Sequence, residues 1–213
     1  EVHIVEEPMA AAVGIRLPVK EAVGTVIVDI GGGTTDVAVI SLSGVVRSKN
    51  LKIAGDVLNT DIMNYMKDEF KLLIGEKTAE NVKIAIGSVA EGVPMEAEVR
   101  GRDMVTGLPR QVIVTDSDIR EAIMPSIISL VDGIKEVLET TPPELLSDII
   151  HRGLIITGGG ALLRGLDTLI QSAIKIPIYV AEDPLTAVAR GTGVILDDFD
   201  NYKDVLVHTD DIS

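Results

Sequence analysis

The stretch Thr25–Asp36, TVIVDIGGGTTD, decides how the rest of the chain can fold. It begins with a short apolar run that is typical of a strand buried on both faces. Three glycines follow, and because glycine lacks a Cβ, the backbone N–H groups there can close around an anion. The chain re-enters a strand at Val37–Leu42, which predicts a hairpin whose turn holds phosphate groups. The residues of this predicted turn are Gly31, Gly32, Gly33, Thr34 and Thr35.

One carboxylate, Asp29, stands inside the apolar run, where a charge costs free energy unless something pairs with it. We therefore expect Asp29 to face the cation that accompanies bound phosphates. Spacing excludes two commoner glycine motifs: the P-loop needs a Gly-Lys pair, which the sequence lacks, and GxGxxG would need glycine at Asp36. An ordinary tight hairpin remains the alternative for the glycine triplet taken alone.

Composition limits the class of protein. With 213 residues, 46% of them hydrophobic, the chain has enough apolar material for one large domain or two small ones. The net charge of −14 and the 2% of aromatic residues argue against a nucleic-acid-binding surface, which needs clustered Lys/Arg and stacking rings. The absence of cysteine excludes disulfides and thiolate zinc sites and fits a cytosolic protein. No apolar run reaches the ~18 residues that a membrane span needs.

A Glu-Pro pair follows a short strand predicted at Val2–Val5. Proline is favoured at the first position of a helix, so Pro8 predicts a helix that runs through Ala10–Ala12. Glu7 then lies at the helix N-terminus, where the helix dipole favours an ionised carboxylate. Such a residue is usually only a charged helix start; the functional interpretation is a carboxylate that orients an attacking water.

The two helices after the hairpin carry further candidate residues. Gly55 and Asp56 open the first helix, and Asp56 is interpreted as either a helix cap or a second phosphate contact. On the next helix, Glu80, Lys83 and Gly87 are spaced so that they fall on one side. A solvated ion pair is the common explanation for Glu80 and Lys83. A ribose or base lying against the small Gly87 is the functional one.

The rest of the chain alternates between predicted strands and helices and ends in an acidic stretch. The predicted strands are Met95–Gly101, Arg110–Thr115, Leu154–Thr157 and Pro177–Ala181. The predicted helices begin at Asp116, Pro143, Ala161 and Asp183. After Leu196 the chain turns acidic, which predicts a solvated, partly disordered extension.

This order predicts an α/β fold, a mixed sheet flanked by helices with a smaller α+β subdomain inserted into it. Residues 1–77 and 142–213 form the predicted core unit, and residues 78–141 form the inserted subdomain that closes over the ligand. Both glycine triplets, Gly31–Gly33 and Gly158–Gly160, follow strands, at the edge where open α/β sheets bind ligands. We therefore expect a nucleotide in the crevice between the two units.

Six segments together resemble the MreB-like bacterial actins, within the superfamily that unites actin, Hsp70 and the sugar kinases. They cover nearly the whole chain, in order, and the last three point to this family rather than to chaperones or kinases. The segments are IVEEPMAAAVG (Ile4–Gly14), VDIGGGTTDVAVISL (Val28–Leu42), IAGD (Ile53–Asp56), TPPELLSDII (Thr141–Ile150), LIITGGGALLRGLD (Leu154–Asp167) and AEDPLTAVARG (Ala181–Gly191).

The resemblance implies a ribonuclease-H-like fold that binds ATP or ADP with Mg²⁺. The turn described above would be the second phosphate loop, Asp29 would hold Mg²⁺ through water, and Glu7 would position the hydrolytic water. Glu80 and Lys83 would contact the ribose. The other residues implied to bind nucleotide are Gly55, Asp56, Asn81 and Val82, with Gly158, Gly159, Gly160 and Ala161 at the adenine.

The resemblance also implies a function. Family members polymerise with ATP into filaments beneath the cytoplasmic membrane and direct wall synthesis for rod shape. The expected partners are other copies of the protein in a homopolymeric filament and the membrane-bound rod-shape and wall-synthesis proteins, and no nucleic acid is expected. The expected location is the cytoplasm, at the inner face of the cytoplasmic membrane.

One family feature has no counterpart among these motifs: the first phosphate loop, which the family carries in an N-terminal lobe. The chain is therefore expected to correspond to the second large lobe, with membrane contact made through the other one. Residues after about Asp183 are expected to return toward that other lobe. We expect ATPase activity from the full-length protein, whereas the chain by itself should bind ATP weakly and hydrolyse little, because water reaches one side of the triphosphate.

Three other classes of protein share parts of this pattern. An Hsp70-type chaperone has the same phosphate turn but needs a peptide-binding domain after the ATPase. A metal-dependent nuclease could use Asp29 and Asp36 as metal ligands, but the strongly acidic chain offers no basic groove. A catalytically silent interaction module would keep the fold without the nucleotide, and the presence of Glu7, Asp29, Glu80 and Lys83 weighs against it.

Overall fold

The computed structural model describes residues 2–207 and has the α/β architecture that the sequence predicts. Its strands are β1 (Thr25–Ile30), β2 (Thr35–Ser41), β3 (Gly44–Leu51), β4 (Leu72–Leu73), β5 (Glu96–Asp103), β6 (Pro109–Thr115), β7 (Leu154–Thr157) and β8 (Ile178–Val180). Its helices are α1 (Glu7–Gly14), α2 (Gly55–Asp68), α3 (Glu76–Ile86), α4 (Asp116–Glu139), α5 (Pro143–Arg152), α6 (Leu166–Ile174), α7 (Ala187–Asp197) and α8 (Phe199–Tyr202). Short 3₁₀ turns lie at Gly159–Leu162, Pro184–Thr186 and Lys203–Val205.

The larger sheet has five strands in the order β3-β2-β1-β7-β8. Strands β1, β2 and β3 are antiparallel neighbours, whereas β7 runs parallel to β1 and β8 parallel to β7. The sheet is therefore mixed, as predicted. Its register places Asp29 of β1 opposite Asp36 of β2 on one side and Thr157 of β7 on the other, so the central strand ends between two polar neighbours.

Alternation along β1 divides the core into two layers, because successive side chains of a strand point to opposite faces. Val26, Val28 and Ile30 pack in the larger cluster, which also holds the buried stripe of α4. Ile27 packs in the smaller cluster with α1 and α7. By the same alternation Asp29 belongs to the face that α1 and α7 cover, which places this carboxylate on the same side of the sheet as the start of α1.

The smaller sheet consists of β4, β5 and β6 in that order. It begins at Leu72, before the predicted boundary at residue 78, and ends at Thr115. The buried stripe of α4 packs in the same cluster as the strands of the larger sheet. The division into 1–77, 78–141 and 142–213 therefore stays a prediction, and sheet membership favours residues 72–115 as the inserted part.

Helices α1 and α7 cross at two glycines. A Cβ built on Gly14 would lie 1.9 Å from the carbonyl oxygen of Ala187, and one built on Gly191 would lie 1.7 Å from that of Ala10. The two backbones are thus in direct contact, which only residues without a side chain permit. In this chain α7, which follows Asp183, packs on α1 rather than extending away from the core.

Several predicted boundaries are wrong. Val2–Val5 does not form a strand; Val5 makes a single antiparallel bridge with Leu206. The helix that opens at Gly55, whose apolar stripe predicts that it continues to Gly75, ends at Asp68, because Leu72–Leu73 pairs with β5 instead. The helix predicted at Ala161–Ala173 is divided into a 3₁₀ turn and α6, with Gly165 in the left-handed region at φ 78°.

The acidic stretch after Leu196 is more ordered than predicted. It contains α8 and a 3₁₀ turn, and Val205 is buried in the smaller cluster. A few apolar side chains are enough to hold an acidic segment whose charged groups face water. The last part of the prediction concerns His208–Ser213, which lies outside the described residues. Within residues 2–207, no helix combines the length and the apolar character that a membrane crossing requires.

The contact between α1 and α7 predicts opposite effects of alanine at two glycines of the same helix. Gly191→Ala should lower the free energy of unfolding by at least about 2 kcal/mol, because the new methyl group cannot fit against Ala10 without a backbone shift. At Gly193 a Cβ meets nothing within 4 Å, so Gly193→Ala should be neutral or stabilise by up to about 1 kcal/mol. Urea unfolding followed by circular dichroism measures both, and equal stabilities of the two variants would contradict the packing.

Candidate functional site

The glycine turn after β1 is held by its own hydrogen bonds and by the start of α2. The N–H of Gly31 donates to the carbonyl of Thr34 at 3.0 Å, which closes the turn. The N–H groups of Gly55 and Asp56 donate to the carbonyls of Gly31 and Gly32 at 3.1 and 2.8 Å. The first N–H groups of a helix have no partner within the helix, and here two of them fix the turn from outside.

These bonds leave the donors of the turn available. Within residues 2–207, the N–H groups of Gly32, Gly33 and Thr34 donate to no protein acceptor. Gly32 and Gly33 are also exposed. A row of backbone N–H groups in a turn, next to a helix N-terminus, is an arrangement that binds anions such as phosphate. The turn therefore offers donors to an anion, and its binding of phosphate stays a prediction.

The two threonines of the turn have different surroundings. Thr35 is fully buried, and its hydroxyl donates to the carbonyl of Ile53 at 2.7 Å. Its side chain thus ties β2 to the segment before α2. Thr34 is half-buried, and its hydroxyl lies 3.5 Å from a carboxylate oxygen of Asp36. Only Thr34 keeps its hydroxyl near the open side of the turn.

Asp29 is the buried carboxylate of the site, with 5% of its surface exposed. Burial, and then the negative charges of Glu7 and Asp36, raises the pKa of Asp29 from 3.8 to about 6. Glu7 reaches this position from the N-terminus of α1, and Asp36 reaches it from the facing strand β2. Three carboxylates on one side of the sheet disfavour further negative charge there, and a cation would relieve that repulsion.

The second glycine triplet packs against the first strand. Gly158 has φ 79°, and a Cβ built there would lie 2.4 Å from Oδ1 of Asp29. A Cβ on Gly160 would lie 2.2 Å from Cγ2 of Ile30. The glycines after β7 therefore allow this loop to approach the end of β1, which brings the loop to the same edge as the phosphate turn.

A cavity of about 510 Å³ opens between the phosphate turn, α2, α3 and the loop after β7. It meets the size expected of a small-molecule site. The predicted site residues that line it are Gly31, Gly32, Gly55, Asp56, Glu80, Lys83, Gly159 and Gly160. The lining residues that the sequence analysis did not assign to the nucleotide are Leu58, Asn59, Ile84, Leu162, Leu163, Arg164 and Leu185.

Two charged residues of α3 border the cavity. Nζ of Lys83 donates to the carbonyl of Gly55 at 2.8 Å, and burial lowers the pKa of Lys83. Glu80 pairs instead with Lys77 at 2.7 Å, and the hydrogen bond from Lys77 lowers the pKa of Glu80. The common explanation, a direct pair between Glu80 and Lys83, is therefore not the arrangement found: Lys83 points toward the start of α2 and Glu80 lies at the rim.

Part of the cavity wall is apolar. Ile84, Leu162 and Leu185 line it while remaining more than half exposed, at 66%, 55% and 68%. Exposed aliphatic side chains of this kind form an apolar surface that a ligand can cover, and they do not belong to the core. Leu162 falls within the helix predicted to begin at Ala161, because a glycine triplet followed by Ala-Leu-Leu is also typical of a helix start. Leu185 comes from a different segment, so sequence spacing could not connect it to the others.

Some predicted residues lie elsewhere. Asn81 and Val82 line a separate groove of about 380 Å³ between α3 and β5, and Val82 is buried. Ala161 belongs to the 3₁₀ turn after β7 and is buried. Because neighbouring positions on a helix point about 100° apart, Asn81 and Val82 cannot share the face of Glu80 and Lys83. Four more predicted residues do not line the cavity: Gly33 and Thr34, which belong to the turn, and Glu7 and Asp29, which lie beside it.

The residues around the turn fit a weakly held magnesium ion. Among residues 2–207 no group of three or more His, Cys, Asp or Glu side chains is arranged to hold a metal by itself. Mg²⁺, however, usually keeps several waters and is bound through one or two carboxylates together with the phosphates of a ligand. Asp29, buried and crowded by like charges, is a suitable single carboxylate for such an ion.

The family model described as "MreB/Mbl protein" matches residues 1–204. The cell shape-determining protein Mbl of Bacillus subtilis is 51% identical over 200 residues, which cover 93% of this chain and 60% of that protein. The cell shape-determining protein MreB of Escherichia coli K12 is 51% identical over 203 residues, which cover 95% of this chain and 58% of that protein. The chain thus spans about 60% of the length of the curated relatives that it matches.

Solved structures agree with these relatives. MreB5 of Spiroplasma citri bound to ADP superposes with a TM-score of 0.90 at 36% identity, over 93% of this chain and 61% of that one. The MamK double helical filament has a TM-score of 0.74 at 22% identity, over 90% of this chain and 58% of that one, which is a likeness of fold alone. The fold is therefore that of the actin-like proteins. With a family model matched along nearly its whole length and relatives at half identity, the chain belongs to the MreB/Mbl family.

Proposed function

We propose that this chain binds ATP or ADP together with Mg²⁺ in the cavity between α2, α3 and the loop after β7. One observation carries the proposal: the glycine turn, in which the N–H groups of Gly32, Gly33 and Thr34 donate to no described acceptor, borders through Gly31 and Gly32 a cavity that also has apolar walls. Such a site suits a ligand with an anionic end and a flat apolar end. MreB5 of Spiroplasma citri, whose structures hold ADP and AMPPNP, supports the choice of ligand.

In this proposal different residues bind different parts of the nucleotide. The turn Gly31–Thr34 receives the phosphates through its N–H groups, while Asp29 holds Mg²⁺ through water. Lys83 and Glu80 lie where the ribose follows, and Gly159 and Gly160 line the part of the cavity that receives the base. Asn81, Val82 and Ala161 are not included, because Asn81 and Val82 border a separate groove and Ala161 is buried. Thr35 supports the turn from beneath through its bond to Ile53.

We further propose that the full-length protein hydrolyses ATP, with Glu7 positioning the water. Glu7 is exposed at the start of α1, and its charge acts on Asp29 at the end of β1. A carboxylate can orient and partly deprotonate a water molecule, an effect worth about 10²–10⁴ in rate when the geometry is right. The rigid contact between α1 and α7 holds the helix that carries this group.

At the level of the cell, we propose that the protein forms homopolymeric filaments that maintain cell shape. Its relatives in Bacillus subtilis and Escherichia coli are cell shape-determining proteins, and MamK, which shares the fold, forms a double helical filament. The proposed partners are further copies of the protein and the membrane-bound proteins of wall synthesis. The proposed location is the cytoplasm, at the inner face of the membrane. Nothing in the cavity favours an Hsp70-type or silent module over this proposal.

Removing the charge of Asp29 should weaken binding only when magnesium is present. Asp29→Asn should raise the Kd for Mg²⁺–ATP by about 10- to 100-fold, the usual effect of losing one charged contact. In EDTA the same variant should bind ATP as well as the original chain or better, because a repelling charge is gone. Isothermal calorimetry measures both, with Asp132→Asn, an exposed site on α4, as the matched control. An equal loss with and without Mg²⁺ would show that Asp29 does not face the cation.

Substituting Glu7 should separate turnover from binding. In a protein that spans the full length of the MreB relatives, Glu7→Gln should slow phosphate release about 100-fold or more. The Kd for ATP should change less than about threefold, because Glu7 touches the water rather than the nucleotide. Glu6→Gln, one residue earlier and also exposed, is the control and should change neither phosphate release nor the Kd for ATP. Equal turnover in the two variants would remove Glu7 from the reaction, and sedimentation with ATP would report assembly in the same preparations.

A further inference from the structure

Lys83 is held by a backbone carbonyl rather than by another charged side chain. Its Nζ donates to the carbonyl oxygen of Gly55, the first residue of α2, at 2.8 Å. Within residues 2–207 Lys83 forms no ion pair with a carboxylate, and its side chain is half-buried. Sequence spacing placed Lys83 on one side of α3 with Glu80, but it gave no indication of this contact with α2.

The stability of α2 does not explain the position of this ammonium group. The N-terminus of a helix carries the positive end of the helix dipole, so a cation beside it is unfavourable. Burial lowers the pKa of Lys83, and the nearby charges of Glu80 and Asp56 oppose that shift without reversing it. A half-buried cation next to a positive helix end is explained more simply if an anion binds close by.

Two peptide units connect Lys83 to the glycine turn. The carbonyl of Gly55 and the N–H of Asp56 belong to one peptide unit and point in opposite directions. That N–H donates to the carbonyl of Gly32 at 2.8 Å, and the next peptide unit ends in the N–H of Gly33. This last N–H donates to no acceptor within residues 2–207. We call this series of hydrogen bonds the Lys83 relay.

Hydrogen bonds that follow one another through peptide units polarise each other. Each bond in such a series is strengthened by about 10–30%. A donor that carries a full positive charge also makes a stronger hydrogen bond than a neutral donor does. The ammonium group at one end of the relay therefore makes the N–H of Gly33, at the other end, a stronger donor for an anion, although Lys83 itself need not touch that anion.

The neighbouring donor of the turn has a similar connection without the lysine. The N–H of Gly32 shares a peptide unit with the carbonyl of Gly31, which accepts from the N–H of Gly55 at 3.1 Å. The peptide unit that carries this last N–H begins at Ala54, whose carbonyl accepts from a neutral N–H of α2 at 3.2 Å. The two adjacent donors of the turn can therefore be compared within one molecule, because only one of them is linked to Lys83.

We propose that Lys83 is a positioning residue for phosphate, which acts through the peptide units of Gly55 and Gly32 on the N–H of Gly33. This inference rests on the proposed nucleotide function and adds to it that α3 controls how strongly the turn holds phosphate. A movement of α3 that breaks the bond between Lys83 and Gly55 would lower the affinity for phosphate groups while the turn keeps its shape.

The test compares a ligand that contains only phosphate, a nucleoside, and a ligand that contains both. Nuclear magnetic resonance titrations of the chain with Mg²⁺ measure the Kd of pyrophosphate, adenosine and ADP, also in the millimolar range. Lys83→Met should weaken the binding of pyrophosphate and of ADP by the same factor, about tenfold, because the charged end of the relay is lost. The Kd of adenosine should change less than about twofold.

The relay also predicts an effect in the chain without ligand. In Lys83→Met the amide proton signals of Asp56 and Gly33 should move upfield, because their N–H groups are less strongly polarised. The signal of Gly32 should move less than that of Gly33. A change in the packing of α3 against α2 would instead move the signals of both glycines alike.

Two controls keep the interpretation definite. Lys67→Met removes an exposed lysine in the last turn of α2 and should change neither the affinities nor the amide signals of the turn. The amide signals of the larger sheet away from the turn should be the same in all variants. Unchanged sheet signals show that a loss of affinity does not come from unfolding.

The outcomes separate the two levels of the proposal. If the chain binds ADP and Lys83→Met binds pyrophosphate equally well, the inference is wrong and the proposed function stands. A loss that adenosine and ADP share and pyrophosphate does not assigns Lys83 to the ribose and also overturns the inference. A loss for pyrophosphate with equal shifts of Gly32 and Gly33 overturns the relay as its cause. If the original chain binds none of the three ligands, the proposed function fails in this chain, and the inference fails with it.

Discussion

The hydrogen bonds from the start of α2 to the glycine turn are the interaction on which the rest of the site depends. Gly55 and Asp56 donate to the carbonyls of Gly31 and Gly32, so the oxygens of the turn face the helix. A peptide unit whose C=O points one way directs the N–H of the next residue the other way. The same two bonds therefore satisfy the helix terminus, orient the donors for an anion, and fix the distance between the larger sheet and α2.

The sequence pointed to the residues of the proposed anionic part of this site and not to those of the apolar part. Glycines and an isolated carboxylate at a strand end have few structural explanations, so Asp29 and the turn could be identified without coordinates. The apolar walls come from three separate segments, at Ile84, Leu162 and Leu185, and each is an ordinary aliphatic residue in its own segment. Their common role depends on tertiary contacts, which local patterns do not contain.

Two further predictions depend on equally local patterns. The tail after Leu196 was predicted from its charge, but Val205 is buried in the smaller cluster, Tyr202 packs against that cluster and Leu206 bridges to Val5, and these contacts together oppose the entropy cost of ordering the segment. Asn81 and Val82 followed from the family resemblance and lie beside two residues that do face the cavity. A family resemblance assigns a function to a whole segment, whereas the geometry of the helix determines which residues of that segment point to the same side.

The glycine contact between α1 and α7 links parts of the chain that are far apart in sequence. Because Gly14 and Gly191 bring the two backbones together without intervening side chains, there is no soft layer in which one helix could slide over the other. The pair therefore behaves as a single stiff body, with Glu7 at one end and the segment after Asp183 at the other. Any force applied to α7 from outside the chain would tilt α1 as well. A mechanical load on the C-terminal helices would therefore change the direction of the Glu7 carboxylate.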